Sequence, residues 1–421
     1  MSGRPWVELK QMFKTDVSSR AVGEARSFTL LLAAMTALTA LSIDMSLPAM
    51  PQLQQVFHAG VAPVQLTLSL FLLGFAVGQL MCGPLSDRIG RKPVLLTGLG
   101  VFAVAGVLCT VSSSLPMLVL SRCLQGMGAS VGPVIARAVV RDRFDNRRGA
   151  AVLSQITQVM IIAPLVAPTL GGYLLVYSGW PAIFATLASS GALLWLLCWR
   201  YLPETLTRGE TPPRQVAYLI HGFRTVLAHR PSLRHTLTTC FSHAGMFAYI
   251  SGSPFVLIEV FHVPKQSFGL SFAMTAACLM AGATTNRALL SRSSPEALLR
   301  GGMSMVFTGA MLLVALAWSG AGLAGVIGPM MIYLFGLGLV QPNATAAAME
   351  PHGRLAGVSS SLIGGLQTIG GAIGGYCVSA FYDHTPRSLA VTVAVMATLA
   401  LLAMERSPER EAPAAGETVS G

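Results

Sequence analysis

The sequence predicts an all-α integral membrane protein with about twelve transmembrane helices in two pseudo-symmetric six-helix bundles. Three observations carry this: an apolar composition, apolar runs of membrane-spanning length, and loops that alternate between basic and bare. The 421 residues are 53% hydrophobic and 11% charged, and the mean hydropathy is +0.64. A soluble domain carries about 25% charged residues, so a soluble fold is excluded.

The apolar segments fall at 28–50, 64–82, 93–111, 116–138, 150–175 and 181–202. Six more follow at 235–258, 267–286, 301–319, 322–347, 356–381 and 387–404. Each is about 20 residues, enough to cross ~30 Å of hydrocarbon as a helix. The expected organisation is a cytoplasmic tail over 1–27, a bundle over 28–202, a linker over 203–234, a bundle over 235–404 and a tail over 405–421. The linker contains Pro212-Pro213 and carries a predicted short surface helix around Val216–Ala228.

The net charge of +11 is a topology signal rather than a nucleic-acid surface. Arg and Lys cluster in the N-terminal tail, at 88–92, 137–148, 200–234 and 287–300, at Arg354, and in the C-terminal tail. The intervening loops 52–63, 112–115, 177–181 and 319–321 carry none. Lys and Arg favour the cytoplasmic side, so both termini are expected there. The polar first 26 residues do not read as a secretory signal.

The halves repeat weakly. Gly171-Gly172-Tyr173 and Tyr177-x-x-x-Pro181 are echoed by Gly374-Gly375-Tyr376 and Tyr382-x-x-x-Pro386. Gly126-x-Gly128 before Pro133 is echoed by Gly336-x-Gly338 before Pro342. An offset of about 205 residues implies parallel repeats, with a substrate site near the midplane between them.

The seven cysteines are dispersed and contain no C-x-x-C pair, so neither a disulfide frame nor a metal site is expected. No nucleotide cradle, nucleophile elbow or zinc motif is present, so no enzyme activity is expected. Among the eight histidines, His243 lies inside span seven, where hydrogen-bonded packing is favoured over a ligand role.

Charges at membrane depth cost at least ~2.5–3.5 kcal/mol and mark function by default. Asp44 in span one and Arg122 in span four are such charges, each ~10 Å below the outer face at 1.5 Å per residue. One reading is structural: a static ion pair, or an Arg satisfied by carbonyls. The other is a proton switch on Asp44, tuned by Arg122, which cannot itself deprotonate. Glu259, near the outer end of span seven, either lines the path or faces water. Gln79, Gln125, Gln155, Gln158, Gln341, Asn343 and Gln367 are interhelical glue or cavity lining. Tyr249 pairs an apolar ring with a polar tip, suiting either a cavity wall or packing. Pro254 permits a kink. The glycines of spans five and eleven allow close helix packing or a sliding seam.

Gly83-Pro-Leu-Ser-Asp-Arg-Ile-Gly-Arg-Lys92 reads as a tight basic turn between spans two and three. It resembles the first signature of the major facilitator superfamily, with Gly83, Asp87, Arg88, Gly90, Arg91 and Lys92 on pattern. Arg122, Gln125, Gly126 and Gly128 match the R-x-x-Q-G-x-G signature of span four. Pro168, Gly171 and Gly172 match the antiporter signature of span five, which departs from the pattern at Ser154, Ala163 and Ala167. The second half has no clear copy of the first signature.

Within the superfamily the chain resembles the drug:proton antiporters of the Bcr/CflA group, the bicyclomycin and chloramphenicol exporters. Asp44-Met-Ser-Leu-Pro-Ala-Met-Pro51, Phe247–Phe255 and Gln341-Pro-Asn-Ala344 carry that likeness. The resemblance implies multidrug efflux from the bacterial inner membrane by alternating access. It implies Asp44 and Arg122 in proton coupling, and Gly83, Asp87, Arg88, Gly90, Arg91 and Lys92 as a cytoplasmic gate. Tyr249, Gln125, Gln341 and Asn343 are candidate cavity residues. Implied partners are a small-molecule substrate, protons and the lipid bilayer, with no nucleic acid; a monomer suffices. No cofactor or metal is expected, the proton gradient being the energy source. The alternatives are a proton-coupled importer of a small metabolite on the same fold, and a non-transporting receptor or scaffold.

Overall fold

The computed structural model describes residues 27–206 and 215–405. The tail residues 1–26 and 406–421, and Pro212-Pro213, lie outside the described residues. The first half comprises α1 (Ser27–Val56), α2 (Val61–Ile89), α3 (Arg91–Thr110), α4 (Leu115–Arg143), α5 (Asn146–Ser178) and α6 (Trp180–Tyr201). A short helix, α7 (Gln215–Ala228), follows. The second half comprises α8 (Arg230–Val260), α9 (Lys265–Leu289), α10 (Pro295–Ser319), α11 (Ala324–Gly353), α12 (Ala356–Ala380) and α13 (Arg387–Glu405). Spans seven to twelve are therefore α8 to α13.

Eleven helices among the described residues are long and apolar enough to cross a membrane. The remaining span, α12, is 25 residues long. Glycines and serines dilute its hydropathy, yet it packs into the protein against α8 and α2. A helix satisfies its own backbone groups, which is what a hydrocarbon environment demands.

The helices overrun the apolar segments. The clearest case is 83–92, which is not a turn in this structure. α2 continues to Ile89 and a single residue, Gly90, separates it from α3. Gly90 has φ +112°, which side chains rarely tolerate. Polarity alone does not stop a helix; a residue that cannot continue it does. Likewise α8 begins at Arg230, inside the expected linker, because Pro231 fits its first turn and the His229 ring accepts the Ser232 N–H at 3.3 Å. Pro254 ends the regular part of α8, and a π-helical turn over Phe255–Val260 follows.

Glycines set the helix spacing, and their placement repeats between the halves. A Cβ on Gly171 would lie 2.1 Å from the Met45 carbonyl oxygen on α1, and one on Gly374 would lie 2.2 Å from that of Ala244 on α8. The next glycine faces the other half only in the first case. A Cβ on Gly172 would lie 2.4 Å from the Lys265 carbonyl oxygen on α9, whereas one on Gly375 would lie 2.4 Å from Ser251 Oγ on α8, in its own half, and 3.4 Å from Gln65 Nε2 on α2. The second repeat carries a twist. Gly126 abuts α2 and Gly128 abuts α3, whereas Gly336 abuts α10 and Gly338 abuts α9. The two glycines thus exchange partners between halves.

The halves therefore meet at the end opposite the 83–92 segment. Gly172 against Lys265, Thr169 against Gly269, and a Ser69 Oγ to Ala372 carbonyl hydrogen bond of 3.2 Å close that end. At the 83–92 end they part around a cavity of about 490 Å³, lined on one side by α2 and α4 and on the other by α12. Its floor is reached at Gln79, whose amide would lie 3.3 Å from a Cβ on Gly364.

Backbone against backbone cannot yield, so Gly172→Leu is expected to part the seam at the closed end. A single cysteine at Gln266 should then be alkylated at least about fivefold faster in the variant than in the parent cysteine protein. Equal rates would show that the seam does not depend on Gly172.

Candidate functional site

Two charges sit inside the first half. Asp44 is 4% exposed and Arg122 is fully buried. Asp44 lies where α1 changes form: turn residues follow it, then a 3₁₀ segment at Leu47–Ala49. Pro48 has no N–H, so the Asp44 carbonyl receives no i+4 bond there. Arg122 is held by α1 through backbone rather than through Asp44. Its Nη2 donates to the Ser42 carbonyl at 3.0 Å and its Nη1 donates to Gln125 Oε1 at 2.7 Å. Its guanidinium also lies 4.2 Å from the Phe71 ring centroid and 5.6 Å from that of Phe184. Among the described residues no ion pair joins Asp44 to Arg122. Of the two structural alternatives, this state shows the Arg held by a carbonyl, with its Nε unpartnered among the described residues, and not the static pair.

The 83–92 segment is tied down by charges of its own half. Buried Arg91 bridges Asp87, one turn back on α2, and Asp142 near the end of α4, the latter at 3.0 Å. It also donates to Ser86 Oγ at 2.7 Å. Glu204, just beyond α6, accepts the backbone N–H groups of Arg91 at 2.9 Å and Lys92 at 3.1 Å. It therefore caps the first turn of α3, where an acceptor is favourable. The Lys92 ammonium donates to the Trp199 carbonyl at 2.7 Å. One cluster thus fastens α2, α3, α4 and the end of α6 beside the cavity, which Asp87 and Arg91 also line.

The Major Facilitator Superfamily profile matches residues 32–375. The chain belongs to this superfamily. It is a multi-pass membrane transporter, not an enzyme. It is 33% identical to the uncharacterized MFS-type transporter YdgK of Bacillus subtilis, over 83% of this chain and 88% of that one. It is 30% identical to a bicyclomycin resistance protein homolog of Haemophilus influenzae, over 89% and 94%. Multidrug resistance protein MdtL of Klebsiella pneumoniae is also 30% identical, over 79% and 83%. Among solved structures, a bacterial homolog of the lysosomal transporter Spinster, inward-facing and occupied, aligns with TM-score 0.73 at 16% identity, over 90% of this chain and 97% of that one. The xylose transporter XylE from E. coli, partially occluded and inward open, aligns with TM-score 0.70 at 15% identity, over 93% and 98%. These two likenesses concern the fold alone.

The remaining residues singled out from the sequence are dispersed in this superfamily member. Gln125 is buried beneath Arg122 with its Nε2 unpartnered. Tyr249 is buried rather than cavity-facing: its hydroxyl lies 3.2 Å from Thr275 Oγ1 and its ring stacks on Phe272. Asn343 is also buried, donating to Asn286 Oδ1 at 2.6 Å. Gln341 is half-buried and bonded to α8 and α12. Gln155 and Gln158 are exposed on α5, while Pro168, Gly171 and Gly172 lie in the buried seam. Arg88 is exposed. Among the described residues no cluster of His, Cys, Asp and Glu is arranged to hold a metal.

Glu204 carries no signal in the sequence, whereas 137–148 is where the sequence suggests partner charges for the 83–92 segment, and Asp142 lies there. A lone carboxylate after a helix has no spacing signal; its role depends on which amides the fold brings to it. Partial burial raises the Glu204 pKa, but four backbone N–H bonds, from Leu206, Arg91, Lys92 and Thr205, hold it below the usual 4.5. A depressed folded pKa means this contribution is full above 4.5 and fades as pH falls through the folded value. Glu204→Gln, which removes the charge, should speed amide hydrogen exchange at Arg91 and Lys92 about threefold or more at pH 7. Lowering the pH of the parent protein below 4 should weaken its relative protection of those amides. Exchange identical in parent and variant would remove Glu204 from the cluster.

Proposed function

We propose that this transporter is a proton-coupled efflux antiporter of the Bcr/CflA type. It exports small, largely apolar drugs or toxic metabolites across the bacterial inner membrane by alternating access, with both termini in the cytoplasm. The observation that carries the reading is Asp44: a buried carboxyl, outside any ion pair among the described residues, in the same half as a buried and permanently charged Arg122. A carboxyl can be held with or without its proton. It can take up a proton in one state and give it up when a moving helix brings a guanidinium closer. Arg122 is held through a carbonyl and an amide, contacts that can be exchanged for a carboxylate. The cavity beside the basic segment opens to the side that the charge distribution assigns to the cytoplasm, where an exporter loads. The relatives that are named for bicyclomycin and multidrug resistance support the same direction of transport. The basic cluster around Arg91 is the cytoplasmic latch, fixing one half as a rigid unit.

Everted membrane vesicles holding a preset proton gradient test this. Chloramphenicol, bicyclomycin or a lipophilic cation should dissipate the gradient in the parent protein. Asp44→Asn should reduce the response to the level of empty vesicles, with the protein still inserted. Full dissipation by Asp44→Asn would overturn the assignment of Asp44.

A further inference from the structure

The second half carries a polar row that proton exchange at Asp44 does not use. His243 on α8, Gln341 on α11 and Gln367 on α12 form a chain. Gln367 Nε2 donates to Gln341 Oε1 at 3.1 Å. Gln341 Nε2 lies 3.2 Å from His243 Nδ1 and 3.5 Å from the Thr239 carbonyl. A carbonyl can only accept, so the Gln341 atom beside it is the amide nitrogen. His243 Nδ1 then accepts from Gln341, and in the neutral ring the proton resides on Nε2. The ring is steadied by Phe247, one turn along α8, at 5.1 Å between centroids.

Both ends of this chain remain open. Among the described residues neither His243 Nε2 nor Gln367 Oε1 has a hydrogen-bond partner, and neither is sealed from solvent. His243 and Gln367 are half-buried, unlike Tyr249 and Asn343. Amide and imidazole groups in membrane helices ordinarily satisfy one another; a donor and an acceptor left open at the two ends can bind a ligand in place of water. Their position suits one. Gln367 lies one turn, ~4.5 Å along the helix axis, beyond Gly364, which faces Gln79 at the cavity floor. Gln79 Oε1 is itself buried and unpartnered.

We propose that His243, Gln341 and Gln367 form a substrate-recognition subsite on the second half, selective for neutral compounds bearing an amide or hydroxyl group. The inference rests on the export reading and deepens it. His243 Nε2–H donates to a substrate oxygen, and Gln367 Oε1 accepts a substrate N–H or O–H. Gln341 touches no substrate; it is the positioning residue that sets the tautomer of one end and the orientation of the other. The row carries no formal charge, so a lipophilic cation without hydrogen-bonding groups gains nothing from it. Charge recognition stays with Asp44, in the opposite half.

Equilibrium binding to the purified full-length protein tests this, with chloramphenicol as the neutral amide probe and tetraphenylphosphonium as the cation that cannot hydrogen-bond. His243→Phe and Gln367→Leu should each weaken chloramphenicol binding about three- to tenfold, the loss of one hydrogen bond. Tetraphenylphosphonium binding should change less than twofold. His243→Gln, which keeps an N–H donor, should recover most of the loss and guards against a variant that fails to fold. Equal losses for both probes, or no loss for either, would overturn the subsite while leaving the export reading intact. A parent protein that binds neither probe would overturn both.

Discussion

A guanidinium buried in an apolar bundle must be satisfied where it stands, because it cannot give up its proton. Arg122 meets this constraint in part, with a carbonyl of α1, the amide of Gln125 and two aromatic faces, while its buried Nε has no partner among the described residues. None of these partners is a carboxylate. The arrangement leaves Asp44 without a counter-charge in this state, although it lies two residues from the carbonyl that Arg122 engages. A charge pair at this depth would have been worth several kcal/mol against separation. Its absence here makes the half rearrangeable: α1 and α4 can trade one set of polar contacts for another without stranding the guanidinium. The break in α1 after Asp44, enforced by Pro48, places the titratable group at the point where the helix is least constrained.

The seam between halves follows from backbone geometry. Gly171 in α5 and Gly374 in α12 each press on the leading helix of their own half, and Gly172 presses on the other half. A surface of carbonyl oxygens and missing side chains packs closely but holds few directional bonds, so it can separate and reform. The opposite end is built differently. There the Arg91, Asp87, Asp142 and Glu204 cluster links helices within one half. Among the described residues its ion pairs do not cross to the other half. Rigidity within a half and a smooth contact between halves are what rocking motion requires.

Much of this was legible in the sequence, for identifiable reasons. Hydropathy located the spans. The glycine echoes at 171–173 and 374–376 pointed to a repeat, and Gly171 and Gly374 pack alike while Gly172 and Gly375 do not. The limits are equally specific. Hydropathy placed the end of α2 near residue 82, but Gly90 ends it, since backbone conformation decides where a helix stops. Tyr249 and Asn343 have the chemistry of cavity residues and are instead used up in packing, which no single-chain pattern reveals. Glu204 gave no signal because its partners are amides supplied by a distant helix, and for His243 the sequence favoured packing but did not show that its partner is the Gln341 amide on α11.

The central claim is that the proton exchanged for substrate resides on Asp44. Proton release on drug binding measures it most directly. Purified transporter in weakly buffered detergent solution is mixed with saturating chloramphenicol, and the released acid is titrated. The account predicts about one proton released per drug bound near the pH at which Asp44 is protonated, and none from Asp44→Asn that still binds drug. Undiminished release from that variant would place the proton elsewhere and contradict the account.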